Sequence, residues 1–362
     1  MTDTHDTATA DAAAHRPATH RTTAPAAAAP DSADPAGPDR APNRRTTTTA
    51  AAAAKGRAPT LWQRIKRDKV MLALILPGFL YFAVFHYAPL LGYITAFENY
   101  QPYLGFFQSG WVGLQNFTAM TSDPAFWSAL GNTFEISLVQ LVLFFPAPIC
   151  LALLLNSVMS GRIRRLVQSV VYLPHFIGWV VIISIFEQVL GPTGAVPHLM
   201  ADLGLPRFDA MSSPGFFPWL IALESIWKDC GWGTIIFLAA LMNIDTSLYE
   251  AAAVDGAGRF RRFLGVTLPG IMPVVVLLLI LQLGSILSVG FEQILLQRDF
   301  VGPGAGEVLD TYVYYHGVQS GEWGPAAAVG LVKAVVGLVL VLGANKFAHL
   351  MGQDGVYRRD NK

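Results

Sequence analysis

Six long apolar segments follow one another along the chain, separated by shorter polar stretches. Each is longer than the roughly 20 residues that a helix needs to cross a hydrocarbon core of about 30 Å. Several contain proline, which membrane helices tolerate when neighbouring helices satisfy the freed carbonyl groups. The segments are residues 70–92, 133–156, 168–190, 217–243, 270–296 and 326–348. The pattern predicts an all-α membrane protein with six transmembrane helices packed as a bundle.

The composition agrees with a membrane protein. Hydrophobic residues make up 53% and charged residues 14% of the chain, whereas a soluble domain carries about 25% charged residues. The formal net charge is zero, so no basic field points to nucleic acid as a partner. The two cysteines, Cys150 and Cys230, both lie in apolar segments, and the spacing of Cys and His predicts no metal site.

The first 60 residues have a different composition. They are mostly Ala, Thr, Pro and Asp, and such a stretch cannot bury enough apolar surface to offset the entropy of ordering. We therefore divide the chain into a disordered tail over 1–60, a membrane domain over 61–350 and a short polar tail over 351–362. Because no apolar segment precedes residue 70, we expect an uncleaved first span and no ordinary signal peptide.

The lysines and arginines of the short loops lie almost all on one side of the predicted bundle. The opposite side, residues 93–132, 191–216 and 297–325, holds only Arg207 and Arg298. Cytoplasmic loops carry the excess of basic residues in membrane proteins, so we expect both termini in the cytoplasm. The polar stretch between the fourth and fifth spans then faces the cytoplasm too.

This stretch, DTSLYEAAAVDGAGRFRRFLGVTLPG over residues 245–270, is too short and polar to cross a membrane. Ser247 and Glu250 have the spacing of a capping box, which predicts a helix with Ser247 as its N-cap. The alanines after Glu250 give that helix a face of small side chains, and Gly256 is expected to end it. A second short helix would carry three arginines. Contact with lipid headgroups would explain the arginines, whereas docking of a protein partner would explain the small side chains.

The same stretch resembles the EAA loop of the inner-membrane permease subunits of binding-protein-dependent ABC importers. That family has Glu-Ala-Ala, a glycine four residues after the second alanine, and a distal Ile-x-Leu-Pro; Val266 stands here in place of the isoleucine. WVGLQNF, which begins at Trp111, resembles a motif of maltose-type sugar permeases. YLPHFIGWVV, IWKDCGWG and VGFEQILL are similar to the branch that takes up oligosaccharides and polysaccharide fragments. The resemblance covers roughly residues 61–350.

The resemblance implies a type I ABC importer permease fold in the plasma membrane, with a coupling loop at about residues 244–270 that seats on an ATP-hydrolysing subunit. It also implies a second homologous permease, a pair of ATP-binding subunits and an extracytoplasmic solute-binding protein. The chain has no G-x-x-x-x-G-K-[ST] motif, so we expect ATP and magnesium on the partner ATPase, and neither catalysis nor a cofactor on this chain. The positions that match the coupling loop are Glu250, Ala251, Ala252, Asp255, Gly256, Ala257, Leu268 and Pro269.

Charged and aromatic residues of the predicted spans are the candidates for the substrate path. A charge at the centre of a span costs about 2.5–3.5 kcal/mol, so its presence needs a structural or functional reason. Glu224 and Lys228 are four residues apart, so they can pair along one face of a helix. The hydroxyl groups of a sugar need polar partners, and aromatic faces can stack on pyranose rings. The candidate path residues are Trp179, Glu224, Trp227, Lys228, Asp229 and Glu292. A purely structural role, in which the charges hold the helices together, is the other interpretation.

The main hypothesis is a permease subunit that forms half of a sugar path and transmits ATPase motion through the EAA loop. The alternative is a self-contained secondary transporter of a small polar solute, although repeat halves and unwound spans around an ion site are not evident. We expect no proton relay, because His86 and His175 lie near span ends. A membrane enzyme is disfavoured for want of a recognisable nucleophile elbow or pair of catalytic carboxylates, and a scaffold would not explain the charges within spans.

Overall fold

The computed structural model describes residues 68–158, 160–350 and 352. The tail predicted over 1–60 lies outside the described residues, as does nearly all of the tail predicted over 351–362.

The described part of the chain is mostly helical. Its α-helices are α1 Lys69–Phe82, α2 Gln115–Ser122, α3 Pro124–Leu143, α4 Pro146–Ser157, α5 Gly161–Tyr172, α6 Trp179–Leu190, α7 Ala195–Asp202, α8 Phe217–Met242, α9 Thr246–Val254, α10 Arg259–Arg262, α11 Leu268–Gly284, α12 Phe291–Val301, α13 Pro303–Gly306, α14 Leu309–Tyr312 and α15 Trp323–Leu350. Turns of 3₁₀-helix or π-helix extend several of them: Ala83–Tyr87, Ala88–Phe97, Leu173–Phe176, Phe263–Thr267 and Val313–Gln319. The short strands β1 Glu98–Asn99 and β2 Gly110–Trp111 pair antiparallel.

Five helical segments among the described residues are long and apolar enough to cross a membrane. They are Lys69–Phe97, Pro124–Ser157, Trp179–Asp202, Arg259–Gly284 and Trp323–Leu350. A sixth is reached when α8 is taken together with α9, which bends away from it by 64°. Helix α8 has 26 residues and is long enough to cross a membrane by itself. The charged side chains of Glu224, Lys228 and Asp229 make it less apolar than the other five segments. The predicted six spans agree with this upper count.

The span predicted over 168–190 is not one continuous helix. Helix α5 ends at Tyr172, and α6 begins only at Trp179 after a 3₁₀ turn. Pro174 has no amide hydrogen to continue the α-helical ladder, and Gly178 has an extended backbone. The break consists mainly of apolar residues. The hydropathy pattern therefore stays continuous across residues 173–178, although the helix ends there.

The span predicted over 270–296 is interrupted as well. Helix α11 ends at Gly284, and α12 begins at Phe291. Gly290, just before α12, has a φ of +101°, a conformation that favours glycine. Glu292 therefore belongs to the first turn of a separate helix rather than to the end of a span.

Helix α8 lies at the centre of the described bundle. It packs against α3, α4, α5 and α11. One apolar cluster joins its Ile221 to Ile136 and Ile294, and another joins its Phe237 to Ala152. Because α9 follows α8 after a short turn, the coupling loop is covalently continuous with the centre of the bundle.

Helix α1 is the least buried of the spans. None of its residues is buried, and neither is any residue in the most apolar stretch of Lys69–Phe97. The end of this span is held by Asn116, whose side-chain amide donates to the carbonyls of Ala96 at 3.0 Å and Glu98 at 2.9 Å. The asparagine of the WVGLQNF segment therefore has a structural role.

Candidate coupling loop and translocation path

Helix α9 begins two residues earlier than predicted. Its N-cap is Asp245, whose carboxylate accepts the amide of Ser247 at 2.9 Å. The predicted capping box of Ser247 and Glu250 is wrong, because the carboxylate of Asp245 takes the capping role and leaves Ser247 inside the first turn. The hydrogen bond from the Ser247 amide lowers the pKa of the exposed Asp245 carboxyl, so the charged cap persists until the pH falls through that lowered value.

The end of α9 lies where the sequence predicts it. Asp255 is the C-cap, and Gly256 follows at a φ of +75°, in the left-handed region that favours glycine. The amide of Gly256 donates to the carbonyl of Ala253 at 3.1 Å, and that of Ala257 to the carbonyl of Ala252 at 2.9 Å. These bonds satisfy carbonyls of the last turn and allow the chain to reverse into α10.

The two loop helices protrude from the bundle. No residue of α9 or α10 is buried. Val254 is 89% exposed and Phe260 is 74% exposed. Glu250 is also exposed, and it forms no ion pair within the described residues. Large apolar side chains beside an unpaired carboxylate form a surface of the kind that binds a partner.

The other side of the loop is attached to the bundle. The hydroxyl oxygens of Tyr249 and Thr267 lie 3.0 Å apart and join α9 to the turn before α11. Ile244 packs so closely against Gly270 that a Cβ added there would lie 2.7 Å from the isoleucine side chain. Pro269 lies in the first turn of α11, where its missing amide hydrogen is not needed. A displacement of α9 would therefore move α8 and α11 with it.

The last two residues of α5 and the break that follows them, together residues 171–178, are anchored on α8; we call this segment the elbow. The ammonium of Lys228 donates to the carbonyls of His175 at 3.0 Å and Ile177 at 2.6 Å. The Nδ1 atom of His175 lies 2.7 Å from Oδ1 of Asp229, and the imidazole stacks on Trp232 with ring centroids 4.5 Å apart. The sequence did not predict this pair, which forms because the turn folds His175 back onto α8.

Glu224 is fully buried and faces α12. Its Oε2 atom accepts hydrogen bonds from the side-chain amides of Gln293 at 2.8 Å and Gln297 at 2.6 Å. The pair of Glu224 with Lys228 that their spacing allows does not form, because each side chain has its partners on a different element. Sequence reasoning missed the two glutamines, although polar residues four positions apart on one helical face are a recognisable signal.

The remaining candidates for the path are more accessible. Trp227 is 43% exposed, the side chain of Asp229 is 31% exposed, and Glu292 is exposed. Trp179 is half-buried, and the ammonium of Lys228 lies 5.4 Å from its ring centroid. The structure brings Trp179, Lys228 and Asp229 into one cluster beside the elbow.

The same segments connect the chain to known proteins. A model of the family of binding-protein-dependent transport system inner membrane components matches residues 145–351, which include the elbow, α8 and the coupling loop. The chain belongs to this family. Protein LplB of Bacillus subtilis (strain 168) is 43% identical over 294 residues, which cover 81% of this chain and 92% of that protein. The polygalacturonan/rhamnogalacturonan transport system permease protein YteP of the same strain is 41% identical over 295 residues, with the same shares covered.

The fold is also found in a solved transporter. A chain of a bacterial ABC transporter involved in the import of the acidic polysaccharide alginate superimposes with a TM-score of 0.75 at 38% identity, covering 82% of this chain and 100% of that chain. The predicted type I ABC importer permease fold is thereby confirmed. This chain is a multi-pass inner-membrane permease subunit of an ABC importer and is not itself the ATPase.

Proposed function

We propose that this permease imports an oligosaccharide and receives the motion of its ATPase through residues 244–270. The names of its relatives support the substrate class. YteP is named for polygalacturonan and rhamnogalacturonan transport, and AraP of Bacillus subtilis, 31% identical over 269 residues, is named for arabinooligosaccharides. The solved alginate transporter likewise imports a polysaccharide.

The observation that carries the coupling role is the two-sided character of α9. One side is exposed and presents Glu250, while the other is joined to the bundle through Tyr249, with Ile244 just before the helix packed on Gly270. The small side chains of Ala251 and Ala252 let a groove on the ATPase approach the helix closely. A pair of ATP-binding subunits uses ATP and Mg²⁺, and its closure pushes α9 as a rigid lever that switches the bundle between two states. Nucleotide drives this switch because it binds the two states with different affinity.

The proposed sugar path runs along the accessible residues beside the elbow. The face of Trp227 stacks on a pyranose ring, and the carboxylates of Asp229 and Glu292 accept hydrogen bonds from sugar hydroxyls. Trp179 borders the same cluster. Glu224 and Lys228 support this surface from within the chain by holding α12 and the elbow in place.

A second homologous permease completes the path. Helix α1, Lys69–Phe82, has no buried residue, so its apolar side chains are free to contact a second subunit or lipid. Both termini lie on the cytoplasmic side, as the distribution of lysine and arginine indicates. The solute-binding protein then docks on the opposite side, at residues 93–132 and 297–325.

The test is a gentle-detergent purification of this chain from its native membranes, followed by identification of what accompanies it. We expect a second six-span subunit and an ATPase whose ATP hydrolysis rises when oligosaccharide and binding protein are added. A panel of acidic and neutral oligosaccharides then identifies the substrate. Recovery of the chain alone, with uptake of a solute by the reconstituted single chain, would overturn the proposal.

A further inference from the structure

A pocket of about 440 Å³ lies between the coupling loop and the end of α4. Its walls come from three elements: the last turn of α4, helix α9, and the segment from α10 to the turn before α11. The residues that line it are Leu153, Asn156, Ser157, Tyr249, Arg259, Arg262, Phe263 and Thr267. None of them is acidic, so the pocket carries two positive charges and no negative one.

The arginines of this pocket have no anionic partner among the described residues. Neither Arg259 nor Arg262 takes part in an ion pair there. The Nε–H of Arg262 is buried and has no hydrogen-bond acceptor in the described chain. Buried guanidinium donors are nearly always bonded, so an unbonded one points to an acceptor supplied from outside the chain.

We propose that this pocket binds a phosphate group, which the headgroup of an anionic phospholipid supplies. The guanidinium fork of Arg262 matches the geometry of phosphate oxygens, and Arg259 adds the second charge. The amide of Asn156 and the hydroxyl of Ser157 offer further polar contacts. Leu153 and Phe263 form an apolar wall on which the glycerol and the first acyl carbons pack. A volume of this size lies in the range of small-molecule sites.

The position of the pocket fits a lipid. The neighbouring residues Leu268 and Pro269 begin the span of α11, so the pocket lies where the chain enters the bilayer. The proposal rests on the proposed function in one respect, the orientation that places residues 244–270 in the cytoplasmic leaflet. Basic pockets between spans on the cytoplasmic side are suited to anionic headgroups. A lipid bound here would hold α9 and α10 against α4 and so stiffen the coupling loop.

The experiment is native mass spectrometry of the detergent-purified complex, delipidated and then titrated with phosphatidylglycerol. The variants are Arg262→Gln and, as the matched control, Arg261→Gln, whose side chain does not line the pocket. We expect wild type and Arg261→Gln to retain one phosphatidylglycerol about tenfold more strongly than Arg262→Gln, as the loss of a charge-assisted hydrogen bond predicts. Equal retention by all three proteins, or equal losses in the two variants, would overturn the proposal.

Two further arms complete the test. Asn156→Leu changes the pocket without touching the coupling loop, so it replaces Arg262→Gln if that variant fails to assemble; we expect about threefold weaker retention, and unchanged retention would count against the site. Inorganic phosphate is then added to the wild type in place of lipid. Binding of phosphate that displaces the lipid shows that a free anion shares the site, and lack of displacement assigns it to the lipid alone. The adduct mass is read without transport, so its loss is distinguishable from a failure of the coupling proposal.

Discussion

Replacing Gly231 with alanine tests how tightly the elbow is seated on α8. Gly231 lies on the side of α8 that meets the elbow, and a Cβ built there would overlap the carbonyl oxygen of Val171 and lie 2.7 Å from its carbonyl carbon. These are backbone atoms, so no side-chain rotation relieves the overlap. The elbow would have to move away from α8, which strains the hydrogen bonds from Lys228 to the carbonyls of His175 and Ile177.

Two opposing effects decide whether Gly231→Ala stabilises or destabilises the folded protein. Alanine in place of glycine favours a helix interior by about 1 kcal/mol. Overpacking costs about 1–3 kcal/mol, and each charge-assisted hydrogen bond that is weakened adds up to about 1.5–3 kcal/mol. We therefore expect Gly231→Ala to destabilise the protein by about 1–3 kcal/mol. Gly131→Ala is the matched control, because nothing lies within 4 Å of a Cβ at that helical position.

The assay is the midpoint of thermal unfolding of the purified protein in detergent, followed by size-exclusion chromatography with fluorescence detection. A loss of 1 kcal/mol corresponds to about 2–4 °C in domains of about 150–250 residues. We expect the midpoint of Gly231→Ala to fall by several degrees and that of Gly131→Ala to stay level or rise. If Gly231→Ala were as stable as the wild type, the close seating of the elbow on α8 would be refuted.

Three further changes address the coupling loop and the elbow. Glu250→Lys reverses an exposed charge on α9, so we expect normal membrane insertion with loss of oligosaccharide uptake; normal uptake would contradict the coupling role. Gly256→Ala places a side chain at a φ of +75°, which costs about 1–2 kcal/mol, so amide exchange over Thr246–Val254 should quicken, whereas Gly258→Ala, at a φ of −67°, should leave it unchanged. Lys228→Met removes two charge-assisted hydrogen bonds, worth about 3–6 kcal/mol together, and also removes the cost of a buried charge, about 2.5–3.5 kcal/mol; at the middle of both ranges the loss is the larger of the two. We expect a lower thermal midpoint, and an unchanged or higher one would show that the ammonium does not hold the elbow.

The coupling loop could be predicted from the sequence almost completely, since its features are local. A turn that needs a positive φ favours glycine, as at Gly256, and proline is favoured in the first turn of a helix, as at Pro269. The exception was the N-cap. Both Asp245 and Ser247 are suitable capping residues, and propensity alone does not choose between two candidates so close in the chain.

The chemistry of the elbow could not be predicted in this way. His175 and Asp229 are far apart in the chain, and the spacing of Glu224 and Lys228 suggested a pair within one helix that the structure does not contain. Each side chain instead contacts another element: Lys228 contacts the carbonyls of the elbow, and Glu224 contacts Gln293 and its neighbour on α12.

By itself, the sequence determined that the chain crosses a membrane, which segments are apolar enough to do so, and which loop matches the coupling loop of the family it resembles. Long apolar segments have few other stable environments, and the turn at Gly256 depends on a single residue type. The tertiary structure decided where the spans at 168–190 and 270–296 break and which partners the buried charges have. Hydropathy measures the solvent preference of side chains and is insensitive to a backbone turn among apolar residues. The partner of a buried charge is whichever group the packing of distant helices brings within hydrogen-bonding distance.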